Sequence, residues 1–452
     1  MTLTAGAGGA RFATYMAGLG EVIGRAGRAA QLNEYCAGLL MPLERKSVEP
    51  IAAVTAPAQC SAKHQSLLHF VGNSPWSDEA VLAKVREQVL PAIERHGPVR
   101  AWIIDDTGLP KKGNHSVGVK RQYCGQLGKT ANCQVAVSLS VASDTASLPV
   151  AYRLFLPKDW AEDSERRAKA GVPDDIIFQT KGEIALDQIK AAQAAGVTPG
   201  VVLADAGYGP STPFRSGLTE LGLTYIVGVL SNISVWPPGT APLPPTGRGR
   251  RANIRLRRDE NHQPMSAREL ALSLKDAHRD AHGDAPGDAP GDAHWHEVTW
   301  REGSNAPLTS RFTALRVRPA NGDHKRSTAR EVEWLLIEWP EGETEPTKYW
   351  LSTLPDDIAL KELVDLAKLR WRIERDYQDL KQEIGLGHYE GRGWRGFHHH
   401  ATLAIAAYGF LILEADAISP SATANRCKVK PLRSKAPQLP EGFRPRGAAI
   451  AA

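Results

Sequence analysis

The order of strand-like and helix-like runs between Pro98 and Leu230 limits this chain to few folds. "VRAWIIDDT", "CQVAVSLSVAS" and "SLPVAYRLFLP" each alternate apolar with small or polar residues. Short polar turns join them, so an antiparallel meander is expected. Thr107-Gly108 is expected to stop the first strand. A helix follows, from Pro173 through "DDIIFQTKGEIALDQIKAAQAAG" to a stop at Gly196. "GVVLADAGYG" is then a buried strand ending in Asp205, "FRSGLTELG" a short helix and "TYIVGVL" another strand. Three strands, helix, strand, helix, strand make an α/β fold with a mixed sheet flanked by helices.

The 452 residues exceed what one unit needs, and the texture changes along the chain. Residues 1–95 read as a helical, candidate DNA-binding domain, which could hold a helix-turn-helix although no recognition helix stands out, with Ser77 capping one helix and Gly97 ending it. The core runs over 96–230. Residues 231–345 form a strand-rich insertion, with "HEVTWREG", "LTSRFTALRVRP" and "VEWLLIEWPEG" around the low-complexity "DAHRDAHGDAPGDAPGDAH". "TKYWLSTLP" returns to the core, and residues 346–418 complete it with one long helix, "DDIALKELVDLAKLRWRIERDYQDLKQEIG", and a second over 397–417. The tail, 419–452, is basic, Pro-rich and expected to be disordered. Five scattered cysteines without a CxxC argue against a disulfide framework and against a zinc site, and fit a reducing cytoplasm. No signal-peptide core is seen at the N-terminus, and the longest apolar run, 401–413, is too short for a bilayer. The net charge of +5 is compatible with a polyanionic partner.

The acids carry the chemistry. Asp106 closes the first strand with Asp105 beside it, and Asp205 closes the fourth. Carboxyl ends of parallel neighbours meet in such sheets. In the long helix Leu366, Leu369, Ile373, Tyr377, Leu380 and Ile384 form one buried stripe, while Arg370, Glu374 and Lys381 share an adjacent face. Three carboxylates at one edge repel one another unless hard divalent cations offset them.

This arrangement resembles the RNase H-like catalytic domain of DDE transposases. "LRWRIERDYQDLKQEIG" is similar to the YREK signature of one bacterial insertion-sequence group, with Arg370, Glu374 and Lys381 at the Arg, Glu and Lys positions and Ala367 where the signature has Tyr. "DDTGLPKKGNHSVGVKRQYCGQLGKTANCQ" and "LADAGYG" resemble the blocks around the other two acids. The resemblance implies metal-dependent cleavage of double-stranded DNA at element ends and strand transfer into target DNA, by a homodimer on paired ends. Asp106, Asp205 and Glu374 would hold two Mg²⁺, with Mn²⁺ as a substitute. The two acids of β-alternating Asp105-Asp106 point to opposite faces. The family places Thr or Ser directly after the catalytic Asp, so Asp106 is expected at the metal and Asp105 as its hydrogen-bonded neighbour. Arg370 and Lys381 are expected at phosphate near the scissile bond, and Lys111, Lys112, Lys120, Arg121 and Lys129 where DNA arrives. The run Arg248, Arg250, Arg251, Arg255, Arg257 and Arg258 is a further phosphate grip or a solubilising loop. The histidines 398–400 point different ways on a helix, which disfavours a three-histidine metal site and leaves packing or phosphate contact. Two alternatives stay open: a non-catalytic DNA-binding derivative of such an element, and a metal-dependent nuclease without strand transfer.

Overall fold

The computed structural model describes residues 7–246, 254–280, 294–302 and 307–418. Five helices open the chain: α1 (Ala7–Glu21), α2 (Ala26–Leu40), α3 (Val48–Thr55), α4 (Cys60–Gly72) and α5 (Asp78–Glu94). They form where apolar residues recur at helical spacing, as at Val81, Leu82, Val85, Val89 and Ile93 of α5, all buried. Ser77 caps α5 by accepting from the Ala80 amide at 3.1 Å.

The core strands are β1 (Ala101–Pro110), β2 (Lys120–Cys124), β3 (Lys129–Ala142) and β4 (Ser147–Leu154), then β5 (Val201–Ala204) and β6 (Tyr225–Val229). Between them lie α6 (Lys158–Ala161), α7 (Ser164–Ala170), α8 (Lys181–Ala194) and α9 (Thr212–Glu220). Strand β3 pairs antiparallel with β1, β2 and β4, while β1, β5 and β6 run parallel. Contrary to expectation, Thr107-Gly108 does not end β1. The strand continues to Pro110 because β3 offers it a partner from Ala101↔Ala142 to Pro110↔Cys133. The shorter β5 pairs with β1 only as far as Ile103↔Leu203. β1 therefore outruns β5, and Asp105 and Asp106 sit at the fork rather than at a strand end.

The helix expected from Pro173 starts eight residues later. Thr180 and Glu183 build a capping box, each side chain bonding the other's backbone amide, and that fixes the start of α8. α7 was not anticipated, although Asp163 accepts from the Arg166 amide at 2.9 Å and Gly171 at φ 63° ends the helix, both legible motifs.

The next elements are β7 (Ser234–Trp236), β8 (Met265–Ser266), α10 (Ala267–Asp280), β9 (His296–Glu302), β10 (Pro307–Pro319), β11 (Glu333–Trp339) and β12 (Lys348–Ser352). These strands continue the core sheet: β12 lies antiparallel to β6, with Leu351↔Val227, and β11, β10 and β7 follow outward. Arg248, Arg250, Arg251, most of the low-complexity run and the tail lie outside the described residues.

The single long helix expected after β12 is two: α11 (Leu360–Lys368) and α12 (Trp371–Gln382). Between them the backbone tightens, with Leu369 N bonding Leu366 O at 3.1 Å and Arg372 N bonding Leu369 O at 3.1 Å. The apolar stripe from Leu366 to Ile384 stays buried across the break. The last helix, α13 (Trp394–Ile418), packs against α5, α2, α4 and β4. It is long and apolar enough to cross a membrane by length and composition, and half of its most apolar window is buried inside the fold. Tyr15 donates to Ala406 O at 2.9 Å, and Arg11 pairs with Glu414 at 2.5 Å. A single hydrophobic cluster thus joins the N-terminal helices to the sheet.

Candidate active site

The faces of β1 separate the two adjacent acids. Asp105 lies opposite Ser138 and Asp106 opposite Val137. Ser138 bonds Tyr377 of α12, so Asp105 faces α12. Asp106 pairs with Lys181, the first residue of α8, on the other face. Asp105 lies two residues past Ile103, and Asp205 two past its register partner Leu203, just beyond the end of β5. Strand alternation therefore puts Asp105, not Asp106, on the side of β1 that looks toward α12.

Arg370 closes this arrangement. Its guanidinium donates to Asp105 Oδ2 at 3.0 Å and to Glu374 Oε1 at 2.9 Å. Asp105 also accepts from the Asp106 amide at 2.8 Å. Burial pushes the Asp105 carboxyl up to about 7; Arg370 opposes the shift, and Asp205 and Asp106 add to it. Asp205 itself accepts from the Gly207 amide at 2.8 Å. Beside it opens a cleft of about 630 Å³ lined by Asp205, Arg370, Glu374, Trp300, Trp350 and Trp371. The glycines here are required by close approach: a Cβ on Gly209 would lie 1.8 Å from Gly228 O.

Lys381 reaches β1 from α12, donating to Gly108 O at 3.2 Å, and burial lowers its pKa. Lys111 is half-buried, unlike its exposed neighbour Lys112. It donates to Tyr389 O at 2.6 Å, and burial lowers it to about 8. Lys112, Arg121 and Lys129 are exposed, and Lys120 is exposed and paired with Asp159 at 2.8 Å. Of the later arginine run, Arg257 donates to Pro244 O at 3.1 Å and Arg258 to Ala320 O at 3.0 Å, with Asp323 3.8 Å away. Those two hold the insertion together. The histidines 398–400 are buried, and each bonds main-chain or Tyr35 atoms: His398 Nε2 accepts from Leu154 N at 3.2 Å, and His400 Nδ1 meets Tyr35 Oη at 2.9 Å. They serve packing. Lys181 went unnoticed in the sequence, where nothing but its place after the Thr180 cap marks it.

The donor set suits a hard cation, since all the facing acids are carboxylates. Among the described residues, however, no three His, Cys, Asp or Glu side chains gather at metal-holding spacing. Arg370 stands between two of them, where its charge answers theirs.

An RNase H-like sheet with an acid on its first strand, an acid after the next parallel strand and a Glu on a later helix defines a DDE nuclease. A family model described as "DDE superfamily endonuclease" matches residues 18–307, and the chain belongs to that family. Endonucleases of this family use divalent metals. Glu374 lies beyond the matched span. Over 196 residues the chain is 36% identical to a protein of Microchaete diplosiphon described as "Probable transposase for insertion sequence element IS701". That similarity covers 43% of this chain and 47% of the other, so the chain spans about half the length of this relative.

Proposed function

We propose that this protein is a DDE transposase that cuts DNA at the ends of an insertion sequence and joins the freed 3′ ends to target DNA. The observation that carries the reading is the Asp105–Arg370–Glu374 network, set beside Asp205 in a chain of this family. Asp105, Asp205 and Glu374 would hold two Mg²⁺, or Mn²⁺, once Arg370 turns from the carboxylates to a DNA phosphate. When bound, such ions activate the attacking water or 3′ hydroxyl and stabilise the leaving oxygen. Arg370, freed from the acids, has a planar fork suited to a bidentate phosphate contact. Lys381, fixed on Gly108 O, keeps a positive charge beside the acids. Asp106, held by Lys181, sets the other face of β1. Two copies on paired ends, acting on DNA in the cytoplasm, complete the proposal.

The test is cleavage and strand transfer on DNA carrying the sequences that flank the gene. Asp205→Asn, Glu374→Gln and Asp105→Asn are each expected to lose at least a hundredfold in cleavage while retaining end binding. An active Asp105→Asn with a dead Asp106→Asn would move the first acid to Asp106, as the Thr that follows it implies. Cleavage without joining of a pre-cut end would reduce the protein to a nuclease.

A further inference from the structure

The chain from Thr107 to Ser143 contains no Asp or Glu, but carries Lys111, Lys112, Lys120, Arg121 and Lys129. Its middle is a hairpin: β2, a turn over Gly125–Leu127, Gly128 at φ 61°, then β3. The base of this hairpin is firmly seated. Cys124 is buried against Gly108, where a Cβ would come within 3.0 Å of its sulfur. Trp160 donates to Val119 O at 2.8 Å, and Gln122 to Cys133 O at 3.1 Å. The outer part is different in kind. Tyr123 is 67% exposed and Leu127 43% exposed, on a segment whose other outward residues include Arg121 and Lys129. Arg121 and Tyr123 share one side of β2, and Tyr123 lies opposite Thr130.

Lys111 is partly buried and Lys120 pairs with Asp159, but a seated base, an aromatic ring held out in solvent and the exposed cations Arg121 and Lys129 fit one kind of partner, a polyanion with stackable faces. The place agrees. Gly108, on which the hairpin leans, is three residues past Asp105 on the same strand and is also the acceptor for Lys381. We infer that this hairpin is a wedge for double-stranded DNA: Tyr123 stacks on the base pair flanking the scissile phosphate and opens it, while Arg121 and Lys129 hold the backbone on either side. The inference rests on the transposase reading for its substrate, and it adds a residue that positions DNA without touching the acids.

The experiment uses two forms of the same DNA end, one fully paired and one with three mismatched pairs at the scissile position. Tyr123→Ala is expected to cleave the paired end about tenfold more slowly than the native protein and to recover on the mismatched end, while Tyr123→Trp cleaves both normally. A second readout needs no cleavage. With 2-aminopurine at the flanking position and no metal added, native protein and Asp205→Asn should raise its fluorescence, and Tyr123→Ala should not. Equal cleavage of both ends by Tyr123→Ala, or an undiminished fluorescence rise, overturns the wedge. If native protein cleaves neither end, the transposase reading fails, and the fluorescence comparison still decides the role of Tyr123.

Discussion

Burial pushes the Asp105 carboxyl up to about 7, opposed by the Arg370 guanidinium beside it and reinforced by Asp205 and Asp106. Protons then compete with any metal for Asp105 in the physiological range. The acid must ionise to act as a ligand, so cleavage at low metal concentration should fall as pH drops through about 7 and level off above it, and excess metal should move that limb to lower pH. Arg370 lowers this pKa, so Arg370→Ala should move the limb to higher pH, a shift that a purely structural role would not produce. A rate–pH profile on the two proteins measures it. Lys381→Ala should act differently, reducing the plateau and moving the limb less than Arg370→Ala does, because Lys381 lies near the acids but bonds Gly108 O and not a carboxylate.

Among the elements, the turn from Asp205 to Ser211 tolerates little change. The Cβ that Gly209→Ala would add meets the main-chain oxygen of Gly228, which cannot rotate away. Overpacking against backbone should cost more than about 2 kcal/mol, read as a lowered melting temperature, and displace Asp205 enough to cut cleavage further than stability alone explains. Elements differ in how far the sequence discloses them. The order of β1, β3, β4, α8, β5, α9 and β6 was legible because apolar period and turn residues agree there. The break between α11 and α12 was not: no Pro or Gly marks Leu369-Arg370, and the buried stripe runs straight through it. Tertiary pairing decided the rest. β1 runs on through Thr107-Gly108 because β3 is there to receive it, a partner whose register no local signal reveals. The acids, the Arg and the Glu were legible as a set. Which of Asp105 and Asp106 faces α12 depends on that same register.

Across the molecule, α13 is the shared wall. Its histidines lock it to distant segments: His400 accepts from Tyr35 on α2 and donates to Gly385 O at 3.1 Å, while His399 lies between Val71 O at 2.9 Å and Trp76 O at 3.0 Å and, when neutral, donates to one of them. Burial lowers both His399 and His400 to about 4. A base whose folded pKa lies below its unfolded value of about 6.5 adds stability above that pH, and loses it progressively as pH falls toward 4. Each of the two should contribute up to about 3 kcal/mol at pH 7.5 that is gone by pH 4. Urea titrations at pH 7.5, 5.5 and 4.5 should show this loss, and His400→Asn should flatten part of it while starting from a lower stability.

The same wall sets a timetable for synthesis. The partners of α13 on α1, α2, α4 and α5 leave the ribosome hundreds of residues before Trp394 does. Until then the side of these helices that α13 covers, Tyr15, Tyr35 and Val85 included, lacks its final cover. A nascent chain of this protein therefore carries an apolar face through most of its translation, and at about 5–20 residues per second that interval lasts tens of seconds. Holding chaperones have that long to bind, and a ribosome stalled before codon 394 would release a sticky, incomplete fold rather than a smaller working one.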